Sequence, residues 1–242
     1  LDYVHWLDRL PETFDGLVLA NELLDAMPLH LVQWDDAAIL ERGVSARNGE
    51  FVWCDRPATG RVLEKAQAIA EEFPLPPGYL SEICLAATDW TASWASILNR
   101  GALLLIDYGF PRHEFYHPQR ATGTLMCHYR HHAHGEPFLL PGLQDITAHV
   151  DFTAVAEAAV DAGLQVICYA TQAQFLLHAG LLGRLERQTF ASERERALAI
   201  GAVQKLLSPA EMGELFKVLV VGRGEAVAKL GALSAFDQSY RL

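Results

Sequence analysis

The residues best placed to do chemistry stand at the ends of two apolar runs. Gly16-Leu17-Val18-Leu19-Ala20 stops at Asn21-Glu22, and Asp25 follows three residues on. "GALLLIDYG", residues 101–109, likewise runs into Asp107 and Tyr108. Runs of this length with polar brackets read as buried parallel strands. Acids just beyond such strands lie at their carboxyl ends, where open α/β sheets take up ligands. The alternative for the first group is a helix start, with Asn21 as N-cap and Glu22 and Asp25 on the helix dipole. In "QDITAHVDF", residues 144–152, His149 is a candidate general base with Asp145 or Asp151 to orient it, while Asp151 also reads as a helix N-cap.

A second group is the histidine run His128, His131, His132 and His134, with His113 and His117 upstream. H-x-x-H-H-x-H has enough donors for a transition metal. It lacks the helical or hairpin spacing of zinc sites and reads as an exposed loop. No metal site is assigned, and a metal-dependent hydrolase is a weak reading.

The chain has 242 residues, 51% hydrophobic and 20% charged, enough for one large domain with an elaborate insertion. A net charge of −11 argues against nucleic acid as a partner and suits a cationic one. The four cysteines, Cys54, Cys84, Cys127 and Cys168, form no C-x-x-C pair and read as reduced thiols. No stretch reaches the roughly twenty apolar residues of a membrane span. The first residue is Leu1, so the chain reads as starting inside a longer protein and the absence of a leader carries no weight.

The elements that must position these groups alternate between strand and helix, which indicates an α/β sheet. Residues 29–34 and 38–55 read as strands of an antiparallel excursion, with Asn48-Gly49 as a hairpin turn. Helices are expected over 60–73 and 80–99, the second carrying Trp90 and Trp94 one turn apart. Asp151 to Thr171 reads as cap, helix, Gly163 and strand. Helices at 173–190 and 192–207, another opening at Ser208-Pro209 and a strand over 216–224 complete the pattern.

"FDGLVLANELLDAMP", "GALLLIDYG", "GTL" (123–125) and "PGLQDITAHVDFT" (141–153), in that order, resemble the MidA-type S-adenosylmethionine-dependent methyltransferases. Mitochondrial relatives in that family methylate an arginine of a respiratory complex I subunit during assembly. The resemblance implies a Rossmann-like class I methyltransferase sheet of seven strands, the last antiparallel at 216–223, with "GLVLAN" fourth and "LLLID" fifth. It implies an inserted hairpin and helical region at about 29–99. It also implies that the family's first strands and glycine-rich cofactor loop lie outside this text, so that 1–242 is the carboxyl-terminal two-thirds of the domain. S-adenosyl-L-methionine is the implied cofactor, with Asn21 bordering it, and a basic protein the implied substrate. A non-catalytic binding or assembly factor on the same fold is the alternative. The implied location is cytoplasmic in a bacterium and the mitochondrial matrix in a eukaryote; no membrane partner is implied, and a homo-oligomer is allowed.

With arginine as acceptor, Glu22 and Asp25 resemble in arrangement the double-acid loop of arginine methyltransferases. Paired carboxylates can hold a planar cation through paired N–H···O bonds. Asp107 and Tyr108 become substrate-binding candidates, the ring by stacking on a flat cation. Glu22, Asp25 and His149 are the catalytic candidates.

Overall fold

The computed structural model describes residues 3–130 and 132–242. Its main sheet is built on the two apolar runs. β1 (Phe14–Asn21) pairs in parallel with β6 (Leu98–Phe110), Leu17 opposite Ala102 and Asn21 opposite Ile106. β12 (Phe216–Arg223) runs antiparallel to β6 and to β11 (Gln165–Thr171), giving the order β1-β6-β12-β11. A two-residue strand, β10 (Val150–Asp151), adds to the carboxyl end of β6. The antiparallel strand expected at 216–223 is there. Among the described residues this sheet has five strands.

Val18 and Ala20 face a core with α2 (Leu85–Ile97) and α4 (Phe152–Asp161), in which Leu103, Leu105 and Phe152 are fully buried. The opposite face of β11 and β12 is covered by α5 (Gln172–His178), α8 (Glu225–Lys229) and the closing turns around Phe236. On that side Leu17 and Leu19 of β1 are 58% and 62% exposed.

Both ends of "GALLLIDYG" need glycine for lack of room. A Cβ on Gly101 would lie 1.8 Å from the Gly16 carbonyl oxygen, and one on Gly109 would lie 2.2 Å from that of Val150. Both clashes are with backbone, which cannot swing aside. Gly109→Ala should therefore cost at least the roughly 1–3 kcal/mol of ordinary overpacking and push β10 off β6. Thermal unfolding is the check, and a loss under half a kilocalorie would show that the strands can spread.

The excursion is a separate sheet of order β4-β3-β2-β5, comprising β2 (His30–Trp34), β3 (Ile39–Arg47), β4 (Glu50–Pro57) and β5 (Tyr79–Ile83). Asn48 and Gly49 turn its hairpin with positive φ. α1 (Gly60–Glu72) lays Val62, Ala66 and Ile69 against it. Residues 80–83, expected as the start of a helix, instead join Tyr79 in β5 because their backbone completes the ladder with β2. α2 packs on α4 in the main layer rather than on the inserted sheet.

Three more expectations change. The helix over 173–190 breaks at Gly180, φ +80, into α5 and α6 (Leu181–Arg187). α7 (Glu193–Leu207) forms as expected, but Ser208-Pro209 opens turns, not a helix. Gly213 is folded back so tightly there that a Cβ would meet the Leu207 carbonyl at 2.3 Å. The histidine segment is a hairpin, β7 (Met126–Tyr129) with β8 (His132–His134), extended by β9 (Asp145–Thr147). α3 (Arg112–Phe115) completes the elements.

Candidate active site

The site is wound around Asp107. The Glu22 amide continues the ladder for one bond, to the Ile106 carbonyl at 3.0 Å. Glu22 then takes a left-handed conformation, φ +48, which turns the chain across the end of β6. The next three amides, of Leu23, Leu24 and Asp25, all donate to Asp107 Oδ2 at 3.2, 2.9 and 3.3 Å. Tyr108 N–H takes Oδ1 at 3.0 Å. Successive amides converging on one oxygen form an anion nest, so a carboxylate from the neighbouring strand does what an N-cap would. No helix follows β1, and the capping alternative for Asn21, Glu22 and Asp25 does not apply.

Asp107 is 1% exposed. Burial, with the Asp25 charge next, pushes its carboxyl up to about 7 against the pull of the amides. Expected as a substrate contact, it has both oxygens turned to backbone amides of the loop and β6.

Asp25 is also buried, at 4% exposure. The Tyr108 hydroxyl donates to its Oδ2 in a short hydrogen bond, and Oδ1 has no partner. Burial first, then the bond to Asp25, raises the Tyr108 phenol far above its ordinary value, so it stays a donor. The Tyr108 ring meets Phe216 at 5.3 Å and His149 at 5.6 Å, edge to face.

His149 sits between Tyr108 and Phe110, held by its backbone: its N–H donates to Thr124 Oγ1 at 3.0 Å. Neither expected orienter reaches its ring. Asp151 caps α4 through Ala154 N–H at 3.1 Å and lies 3.4 Å from Arg112 Nε, and Asp145 is an exposed residue of β9. His149 Nδ1 is buried without a partner. Burial, then the charges of Arg120 and Lys217, lowers its pKa to about 4, so the ring is neutral at physiological pH.

A depressed histidine makes stability depend on pH in a defined direction. The unfolded chain takes a proton near pH 6.5 that the folded chain refuses until about pH 4. Stability from this group is thus complete above about 6.5 and is lost as pH falls towards 4. The melting-temperature gap between His149→Gln and the parent should move in favour of the variant over that window. A gap that stays constant would show a ring that titrates normally.

Glu22, Asp25, Tyr108 and His149 border one open cavity of about 970 Å³, together with Arg120 and Thr124. Asp25 and His149 also border a smaller, mainly apolar cavity of about 260 Å³ between the inserted sheet and α4. Glu22 and Tyr108 line only the larger one. Asn21 is exposed at the carboxyl end of β1, its Nδ2 3.4 Å from Glu22 Oε1.

Glu82 on β5 was not among the sequence candidates. Its buried carboxylate accepts from Thr124 N–H at 2.7 Å, Leu125 N–H at 2.9 Å and the Thr124 hydroxyl at 3.2 Å. It therefore shapes the "GTL" turn that holds His149. A lone acid inside the apolar stretch "YLSEIC" was the available signal.

Among the described residues no group of three or more histidine, cysteine or acidic side chains could hold a metal. His131 lies outside those residues. No described helix is long and apolar enough to cross a membrane.

Residues 1–170 match the family described as "Putative S-adenosyl-L-methionine-dependent methyltransferase". A crystal structure from Burkholderia thailandensis bound to S-adenosyl-homocysteine superposes with a TM-score of 0.91 at 48% identity, over all of this chain and 62% of that one. "Protein arginine methyltransferase NDUFAF7, mitochondrial" from Danio rerio is 28% identical over 90% of this chain and 50% of its own length. The Drosophila melanogaster homologue is 29% identical, over 93% and 51%. The chain thus spans about half the length of these curated relatives.

Proposed function

The chain belongs to this S-adenosyl-L-methionine-dependent methyltransferase family, and from that premise we propose that it methylates arginine in a basic protein substrate. One observation carries the reading. Glu22 stands exposed at the carboxyl end of a parallel strand pair and lines the same open cavity as the Tyr108–Asp25 pair. The arginine methyltransferase names of the relatives support the acceptor.

The cofactor supplies an electrophilic methyl group on a sulfonium. Of the described residues, Asn21 offers a polar edge for it at the end of β1, where its side chain is exposed. Methyl transfer is an in-line displacement, so the protein's task is alignment and exclusion of water. Glu22 accepts two guanidinium N–H bonds and leaves the third nitrogen facing the methyl donor. Holding the positive charge on the gripped nitrogens frees the lone pair of the third. Asp25 is the second acid on the same cavity, and the Tyr108 hydroxyl keeps its carboxyl group in place. As the new N–C bond forms and the sulfonium bond breaks, the methylated guanidinium must lose one proton, and Glu22, exposed and bonded to its other two nitrogens, takes it from one of those. Asp107 acts through the loop it orders. His149, neutral and without an orienter, is a wall of the cavity more than a base.

The test is a methylation assay with labelled S-adenosyl-L-methionine on basic, arginine-containing peptides, followed by amino-acid analysis. Label in methylarginine supports the reading; label only in another residue type ends it.

A further inference from the structure

Arg120 sets a cation on the acceptor cavity that a bare arginine acceptor does not account for. Two cations and the neutral His149 ring surround the Phe110 ring at the carboxyl end of β6. The Arg120 guanidinium carbon lies 4.0 Å from its centroid, Lys217 Nζ 5.7 Å, and the His149 ring 5.0 Å. Among the described residues neither Arg120 nor Lys217 has a carboxylate within 4 Å. Arg120 donates through Nη1 to the Glu114 carbonyl at 2.9 Å, which leaves most of its fork free. Lys217, 3% exposed, is held by the carbonyls of Glu214 and Leu215. The Glu114 carboxylate, the acid on α3, is taken by Arg241.

Arg120 lines the same cavity as Glu22 and Asp25. A chain of net charge −11 thus places unpaired positive charge in the chamber proposed to receive a cation. An arginine side chain entering alone would be drawn to Glu22 and repelled by Arg120. A carboxylate beside it turns that repulsion into a charge-assisted, two-pronged bond to the guanidinium fork.

We propose that Arg120, backed by Lys217, binds a carboxylate adjacent to the acceptor arginine, so that the preferred substrate is an arginine flanked by an acidic residue or by a free chain end. This rests on the arginine reading above. Arg120 is then a specificity residue: it sets which arginine is taken, while Glu22 and Asp25 hold the group that reacts.

The test uses amidated peptides that differ only in Asp or Asn beside the arginine, and the Asn peptide with a free terminal carboxylate placed beside it. Affinity to the protein loaded with S-adenosyl-homocysteine and kcat/KM are both read, for the parent, Arg120→Gln and Arg120→Lys. The parent should prefer the Asp peptide on the order of tenfold. Arg120→Gln should bring that ratio to about one, and Arg120→Lys should restore part of it. Preference for the free-terminus peptide would identify the chain end as the source of the carboxylate. Equal treatment of all three peptides by the parent, or a preference that survives Arg120→Gln, overturns the proposal. So does a loss confined to S-adenosyl-homocysteine affinity, which would assign the cation to the cofactor. A preference in affinity without methylation of any peptide would instead retire the arginine-acceptor reading and leave the carboxylate subsite standing.

Discussion

Replacing Glu22 by glutamine is expected to slow methyl transfer at least tenfold, with little change in cofactor affinity. The substitution keeps shape and hydrogen-bonding reach but removes the charge that grips the acceptor. A charge-assisted contact is worth about 1.5–3 kcal/mol, which corresponds to roughly a tenfold to hundredfold loss in kcat/KM. The backbone supplies a second, independent readout. Glu22 is held at φ +48, and a left-handed conformation costs a side-chain-bearing residue about 1–2 kcal/mol. Glycine would relieve that strain and return about 0.5–1 kcal/mol of it as lost chain entropy. Glu22→Gly should thus unfold at a slightly higher temperature than the parent while transferring methyl groups no better than Glu22→Gln. Stability held in reserve at one exposed acid is what a functional position in a strained turn predicts. A glycine variant that is both stable and active would remove Glu22 from the mechanism.

Asp107→Ala is expected to be the most damaging single change near the site, costing about 3–5 kcal/mol of stability. It strips the shared acceptor from the amides of Leu23, Leu24 and Asp25. Each buried donor left without a partner costs about 1–3 kcal/mol, reduced where the loop can relax towards water. The loop carrying Glu22 should lose its fixed form along with the stability. Asp107→Asn keeps one acceptor oxygen and should fall between the two. Chemical denaturation compares the three proteins directly, and amide hydrogen exchange of residues 23–25 locates the effect. Alanine and asparagine variants as stable as the parent would show that water satisfies these amides as well as Asp107 does.

These two acids mark how far the chain could be read without its fold. Apolar runs with polar ends made β1 and β6 legible, although in β1 only Val18 and Ala20 are buried while Leu17 and Leu19 stay exposed. The end of each run fixed where Glu22, Asp25, Asp107 and Tyr108 must emerge. The cap at Asp151, the turn at Asn48-Gly49 and the strand at 216–223 were equally local: a few neighbouring side chains satisfy or release a few neighbouring backbone groups. What sequence could not settle was the direction in which each acid faces. Asp107 turns inward because amides more than eighty residues away converge on it, and Asp25 is buried because Tyr108 covers it. β5 was misread for the same reason. Residues 79–83 have no decisive periodicity of their own and become a strand only when β2, 45 to 53 residues earlier by the pairing, offers an edge. Glu82 and the cations around Phe110 acquire their roles only through such pairings. Local chemistry determined which residues could act at the ends of the strands. Long-range hydrogen bonding and burial, which no window of sequence contains, decided which of them face the cavity and which hold it in shape.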